Sequence, residues 1–134
     1  REFNVDELVL MKSNAFHIDT LFTPVINKEN KLVAVIACTE LMEKDSTENL
    51  RQFAKRKNIE LVEVPPEDAI GTENELGEFA VNCEPLPGYL VGPTRFRSNK
   101  VAPLLKELGV MHITVPTTQF RLSGGAIHCL TNEL

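Results

Sequence analysis

Lys57-Asn58-Ile59-Glu60-Leu61-Val62-Glu63-Val64-Pro65 and Leu108-Gly109-Val110-Met111-His112-Ile113-Thr114-Val115-Pro116 run the same way: the close of a helix, a short apolar strand, then a proline. They lie about fifty residues apart, and self-similarity at such a period marks a repeated supersecondary unit. Upstream of the first, Leu32-Val33-Ala34-Val35-Ile36-Ala37-Cys38 is rich in β-branched residues and uninterrupted, as expected of a strand covered on both faces. Between them Asp45-Ser46-Thr47-Glu48 reads as a capping-box-like helix start. That helix should bury Leu50, Phe53 and Ala54 and carry Lys55-Arg56-Lys57 at its C-terminus, where the helix dipole favours cations. Residues 17–26 alternate as a further strand, followed by the polar turn Asn27-Lys28-Glu29-Asn30.

The second half repeats this order. Strands are expected over 79–83 and 89–91, joined through Pro85-Leu86-Pro87-Gly88. A helix over 98–108 turns Val101, Leu104, Leu105 and Leu108 inward and ends at Gly109. Pro103 falls in its first turn or two, where a missing N–H is best tolerated. Residues 110–116 form the closing strand, and 5–11 read as an additional strand near the start.

The expected fold class is therefore α/β, in one domain over residues 1–134. Two β-β-α-β modules span roughly 17–66 and 79–116, with a final strand over 124–132. Such a unit cannot bury its hydrophobic face alone, and two and a half of them leave sheet edges exposed. A second chain or further modules are expected to complete it, and a homo-oligomer would also serve. The absent initial Met and the early strand-like run suit a chain whose beginning lies elsewhere.

Composition narrows the function classes. With 43% hydrophobic and 25% charged residues the chain reads as a globular domain able to bury a core. A net charge of -5 argues against a nucleic-acid partner, which needs a basic surface. No apolar run approaches membrane-spanning length, so no membrane partner is expected. Three cysteines, Cys38, Cys83 and Cys129, make an odd set unlike a disulfide framework, which points to a reducing, cytoplasmic location.

Two stretches carry chemistry. In Phe16-His17-Ile18-Asp19-Thr20, a strand would point His17 and Asp19 to one face, roughly 6–7 Å apart at Cα. Imidazole carries protons near neutral pH, and a carboxylate binds a planar cation through paired hydrogen bonds. In Ser123-Gly124-Gly125-Ala126-Ile127-His128-Cys129, two glycines permit close backbone approach and Cys129 sits just beyond them. Singly, each has a structural reading: a small buried thiol, a surface pair, a turn. Jointly, a Cys, a His and an acid form a candidate nucleophilic system. A metal site of His17, Asp19, His128 and Cys129 is a weaker alternative, because His128 and Cys129 would face opposite ways on a strand. No metal and no cofactor are expected.

Phe16-His17-Ile18-Asp19-Thr20 together with Gly124-Gly125-Ala126-Ile127-His128-Cys129 resembles the signature of the amidinotransferase/deiminase (pentein) superfamily of guanidino-group-modifying enzymes. The order of the motifs and the β-β-α-β module are similar too. The resemblance implies a five-module α/β propeller, of which this chain would be the C-terminal portion, about half the ring. It implies Cys129 as nucleophile on a guanidinium carbon, His17 as proton carrier and Asp19 as guanidinium ligand. It further implies Gly124, Gly125 and Asn82 at the substrate, with Cys38 and Cys83 in the core and His128 structural. The substrate would be arginine or a small arginine-like compound, hydrolysed through a covalent amidino intermediate. An amidinotransferase passing that group to an amine is the first alternative, and a non-catalytic binding module of the same fold the second. The family's upstream acidic residues have no counterpart here, since Glu2, Asp6 and Glu7 match no such motif.

Overall fold

The computed structural model describes residues 7–13 and 15–131. Two three-stranded sheets of identical topology make up the frame. In the first, β1 (Phe22–Ile26) pairs antiparallel with β2 (Leu32–Ala37), setting Phe22 opposite Ala37. Helix α1 (Lys44–Lys57) returns the chain to β3 (Glu60–Glu63), which lies parallel to β2 with Glu63 opposite Ala37. In the second, β4 (Glu84–Leu86), β5 (Tyr89–Gly92), α2 (Val101–Glu107) and β6 (Met111–Thr114) repeat the pattern, with Thr114 opposite Gly92. The β-β-α-β repeat read from the sequence is thus present twice. Two one-turn helices follow, α3 (Thr118–Arg121) and α4 (Ile127–Leu130).

Apolar periodicity explains the helices. Leu50 and Ala54 are buried on α1, while Phe53 is half-buried beside them. The helix stops where Asn58 adopts a left-handed conformation (φ 52), and Asn is among the few non-glycine residues that do so at low cost. Val101 and Leu105 are buried on α2, and Gly109 (φ +67) ends it. β2 is the centre of the core: Ala34, Val35, Ile36 and Ala37 are all wholly buried, against Leu21, Val25 and Leu90. No helix of the described residues is long and apolar enough to cross a membrane.

Polar contacts as well as the shared core join the modules, two of them away from the site. Gly88, at the tip of the β4–β5 hairpin, donates its N–H to the Ile26 carbonyl at 3.0 Å. Asp68, wholly buried, accepts the backbone N–H groups of Arg97 (2.6 Å) and Ser98 (3.0 Å), pinning the approach to α2.

Several expected elements differ. Residues 7–11 form no strand: Lys12 donates its N–H to Ser46 Oγ, and its carbonyl accepts the Glu43 N–H, so this segment bonds to the start of α1. Residues 5 and 6 lie outside the described residues. Asp45 does not cap α1: the helix begins at Lys44 after Glu43, which puts Asp45 inside its first turn, and the Ser46 and Thr47 hydroxyls serve the Lys12 N–H and the Thr39 carbonyl. Residues 79–83 are a compact turn, not a strand. Phe79 has φ 55, Val81 N–H bonds to the Asp68 carbonyl and Asn82 N–H to the Phe79 carbonyl, so no sheet partner receives them. Its apolar composition reflects burial under other elements.

Burial holds two thiols protonated. Cys38 is pushed from the usual 9.0 up to about 11, and Cys83 is pushed higher still. Between the two values of Cys38 the unfolded chain releases a proton that the native chain keeps, so stability falls as pH rises through that window. Melting measured near pH 10 should therefore occur below melting near pH 8. Cys38→Ala should flatten that slope, whatever it does to the absolute melting temperature.

Candidate active site

The site forms at one end of the sheets, where the chain enters β1 and β4. His17 is extended (φ -135, ψ 146) immediately before a 3-10 turn, Ile18–Thr20, that carries Asp19. The strand expected from residue 17 thus begins only at Phe22. The reason is local: Thr20 donates both its N–H (3.2 Å) and its hydroxyl (2.6 Å) to the His17 carbonyl, which coils the backbone. His17 Nδ1 still lies 4.0 Å from Asp19 Oδ1, beyond hydrogen-bond length, and its side chain is 58% exposed.

The strand expected over 124–132 is absent, and Asn132 lies outside the described residues. Gly124 (φ +88) turns the chain and Ala126 leads into α4, which carries Cys129 on a single helical turn. The backbone N–H groups that a strand partner would take are instead accepted by a side chain. Asn82 Oδ1 receives Ala126 N–H at 2.8 Å and Cys129 N–H at 3.4 Å.

Asn82 organises the site from below. It is wholly buried. Its Nδ2 lies 3.1 Å from the Asp19 carbonyl oxygen, 2.9 Å from Asp19 Oδ2 and 3.3 Å from Cys129 Sγ. An amide nitrogen has two hydrogens, so three acceptors imply a shared one. The Cys129 thiol in turn donates to Asp19 Oδ2 at 3.0 Å. Ligating atoms of His17, Asp19 and Cys129 all lie within 4.8 Å of one another.

The sequence-predicted site residues are therefore brought together in part. His17, Asp19 and Cys129 converge at the surface. Asn82 lies behind the thiol with its polar atoms engaged by protein groups, a supporting position and not one open to a ligand. Gly125 is against the thiol: a Cβ there would come 2.9 Å from Cys129 Sγ, so glycine keeps that space clear. Gly124 is exposed, and a Cβ there would meet nothing within 4 Å. His128 turns away, its Nδ1 3.0 Å from Glu84 Oε2. It thus does not join the metal-binding set considered from sequence. Thiol, imidazole and carboxylate remain as three donors of a kind that suits zinc or iron better than magnesium.

Cys129 is a weaker acid than an ordinary thiol. Partial desolvation of the otherwise exposed thiol is the main cause, and the hydrogen bond to the Asp19 carboxylate is the second. The resting site thus holds S–H facing a carboxylate. Glu84 escaped the sequence reading, although a polar pair at 82 and 84 inside an apolar run was the signal for it.

Replacing Asn82 with Ala leaves Ala126 N–H and the Asp19 and Cys129 groups without their buried partner. Each such loss costs about 1–3 kcal/mol, so chemical denaturation of Asn82→Ala should show a large drop in midpoint.

No protein-family model and no curated protein sequence matches the chain. Solved structures do. An apo structure of ArgZ, an arginine dihydrolase from the ornithine-ammonia cycle in cyanobacteria, matches with a TM-score of 0.69 at 20% identity, over 93% of this chain and 19% of that one. A ternary complex of AgrE with ornithine and NAD+ matches with a TM-score of 0.66 at 20% identity, over 86% of this chain and 15% of that one. The N-terminal domain of ArgZ, bound to product, matches with a TM-score of 0.61 at 23% identity, over 87% of this chain and 37% of that domain. The chain spans well under half the length of each of these structures. The chain thus shares its fold with the matched parts of AgrE and ArgZ, a fold of the pentein type.

Proposed function

We propose that the chain supplies the nucleophile-bearing part of an enzyme that hydrolyses arginine or a small arginine-like guanidino compound. The observation that carries this reading is Cys129 Sγ, 3.0 Å from the Asp19 carboxylate with the exposed His17 imidazole beside it. A guanidinium is a poor electrophile. Its reaction needs a strong nucleophile, a proton for the leaving nitrogen and a carboxylate to fix its plane.

In the proposed sequence, the substrate guanidinium docks on Asp19. The Cys129 thiol passes its proton to His17, and the resulting thiolate attacks the central guanidino carbon and forms an S–C bond. His17 gives a proton to the departing nitrogen, the C–N bond breaks and ammonia leaves. The amidino group stays on sulfur. His17 then takes a proton from water, whose oxygen attacks the same carbon, and the S–C bond breaks to release a ureido product and the thiol. Repeating the hydrolysis on the ureido product would yield the free amine, a second ammonia and carbon dioxide. An acceptor amine in place of water would make the enzyme an amidinotransferase.

Asp19 has two effects on the thiol. In the free site its negative charge opposes ionisation of Cys129. When a guanidinium occupies Asp19, that charge is neutralised and a cation stands beside the sulfur, which favours the thiolate. Activation is therefore coupled to binding. We further propose that additional modules of the same fold, in a partner or a second copy, supply the rest of the substrate contacts and close the propeller. Free thiols at Cys38, Cys83 and Cys129 fit a cytoplasmic setting.

The assembly containing this chain should convert arginine to citrulline or ornithine with release of ammonia, followed by mass spectrometry. Cys129→Ser should abolish that turnover with the fold intact; retained turnover would remove Cys129 as nucleophile. Asp19→Asn should weaken substrate binding and slow turnover. The same substitution removes a carboxylate that raises the thiol's pKa, so at fixed neutral pH iodoacetamide should alkylate Cys129 faster in Asp19→Asn than in the unaltered protein. A slower rate would contradict the electrostatic role given to Asp19.

A further inference from the structure

Helix α4 is four residues long, far too short to hold its shape by its own hydrogen bonds. Its N-terminal side is fixed by Asn82. The opposite side is fixed by Glu84, two residues further on at the start of β4. Glu84 Oε2 accepts the Thr131 hydroxyl at 2.6 Å and faces His128 Nδ1 at 3.0 Å. Thr131 N–H also returns to the His128 carbonyl at 3.2 Å, closing the turn. Cys129 lies between these two attachment points.

Glu84 is buried, with 8% of its surface exposed. A buried carboxylate is costly unless it is paired and hydrogen-bonded. Among the described residues no Lys or Arg pairs with it; its partners are the His128 ring and the Thr131 hydroxyl. A carboxylate kept in such a place for packing alone would be better replaced by a hydrophobe. What it does have is a grip on the residue that precedes the thiol and the one two beyond it.

We propose that Glu84 and His128 are positioning residues that set where the Cys129 sulfur sits against Asp19 and Asn82. The proposal rests on the reading of Cys129 as the nucleophile, and assigns His128 its part through Glu84 with no contact to substrate. With the couple intact, α4 stays wound and the thiol stays on the Asp19 carboxylate. With it broken, the turn opens and the sulfur leaves that carboxylate for water.

The experiment reads thiol alkylation by iodoacetamide, resolved cysteine by cysteine by mass spectrometry of peptides. It uses the chain as it stands, carrying Glu84→Leu, His128→Leu or His128→Asn. In the Leu variants Cys129 should react faster, on the order of tenfold for the loss of one charge-assisted hydrogen bond. Buried Cys38 and Cys83 should stay protected. His128→Asn, whose side-chain amide nitrogen falls where Nδ1 stood, should restore the unaltered rate. Unchanged Cys129 reactivity in both Leu variants would overturn the proposal, as would parallel exposure of all three cysteines, which marks general loosening. Turnover of the arginine-converting assembly gives the second readout. Faster alkylation with lower turnover supports both readings, whereas faster alkylation with undiminished turnover leaves the positioning intact and removes Cys129 from catalysis.

Discussion

The buried amide of Asn82 joins three segments that are remote in sequence: the turn carrying Asp19, the entrance to β4, and the helical turn carrying Cys129. Its two ends are chemically different, and each meets only what it can satisfy. The nitrogen faces the Asp19 carbonyl and carboxylate and the Cys129 sulfur, while the oxygen faces two backbone N–H groups. An amide flipped in place would set N–H against N–H and oxygen against carboxylate. One side chain therefore specifies a single arrangement of carboxylate and thiol, and the low dielectric around a wholly buried group makes departures from it costly.

The repeated module explains why the site forms where it does. β1 and β4 run antiparallel to β2 and β5, so their N-terminal ends lie beside the C-terminal ends of the strands they pair with. Residues just ahead of β1 and β4 are thus delivered to one end of both sheets. Asp19 precedes β1, and Asn82 precedes β4. The hairpin contact from Gly88 to Ile26 fixes the two modules against each other, so this pairing does not depend on the site residues alone. The chain of α3 and α4 then returns Cys129 to the same end. A rigid frame thus places groups whose own segments are short and irregular.

The frame was legible in the sequence, because local physics sets it, and the candidate site residues could be named there by type. The β-branched run of β2, the apolar face of α1 and the left-handed turn at Gly109 follow from propensity and periodicity. His17, Asp19 and Cys129 stand out by residue type. The conformations of the segments that carry them did not follow, since hydrogen bonds over long sequence separations decide them. Residues 79–83 have strand composition, yet their N–H groups go to Asp68, Phe79 and other nearby carbonyls. Residues 127–130 are held in a helical turn by Asn82 and Glu84, which no window around Cys129 contains. The same interactions turned His128 from a neighbour of the thiol into a partner of Glu84.

These constraints give the resting site a definite electrostatic state. Partial desolvation and the adjacent carboxylate both favour S–H over thiolate at Cys129, and the amide of Asn82 and the nearby backbone oppose them only in part. A thiolate is the form that reacts with oxidants and with electrophiles in general, so an exposed cysteine kept protonated is a quiet one. Under the proposed function, a bound planar cation would reverse the balance, because it would satisfy the carboxylate and stabilise the anion on sulfur in one step. Neutral molecules of similar size would occupy the space without that effect. Under the proposed function, selectivity for a guanidinium would lie in the reactivity of Cys129 as well as in binding, and it would follow from holding one carboxylate oxygen within hydrogen-bond reach of both the buried amide and the thiol.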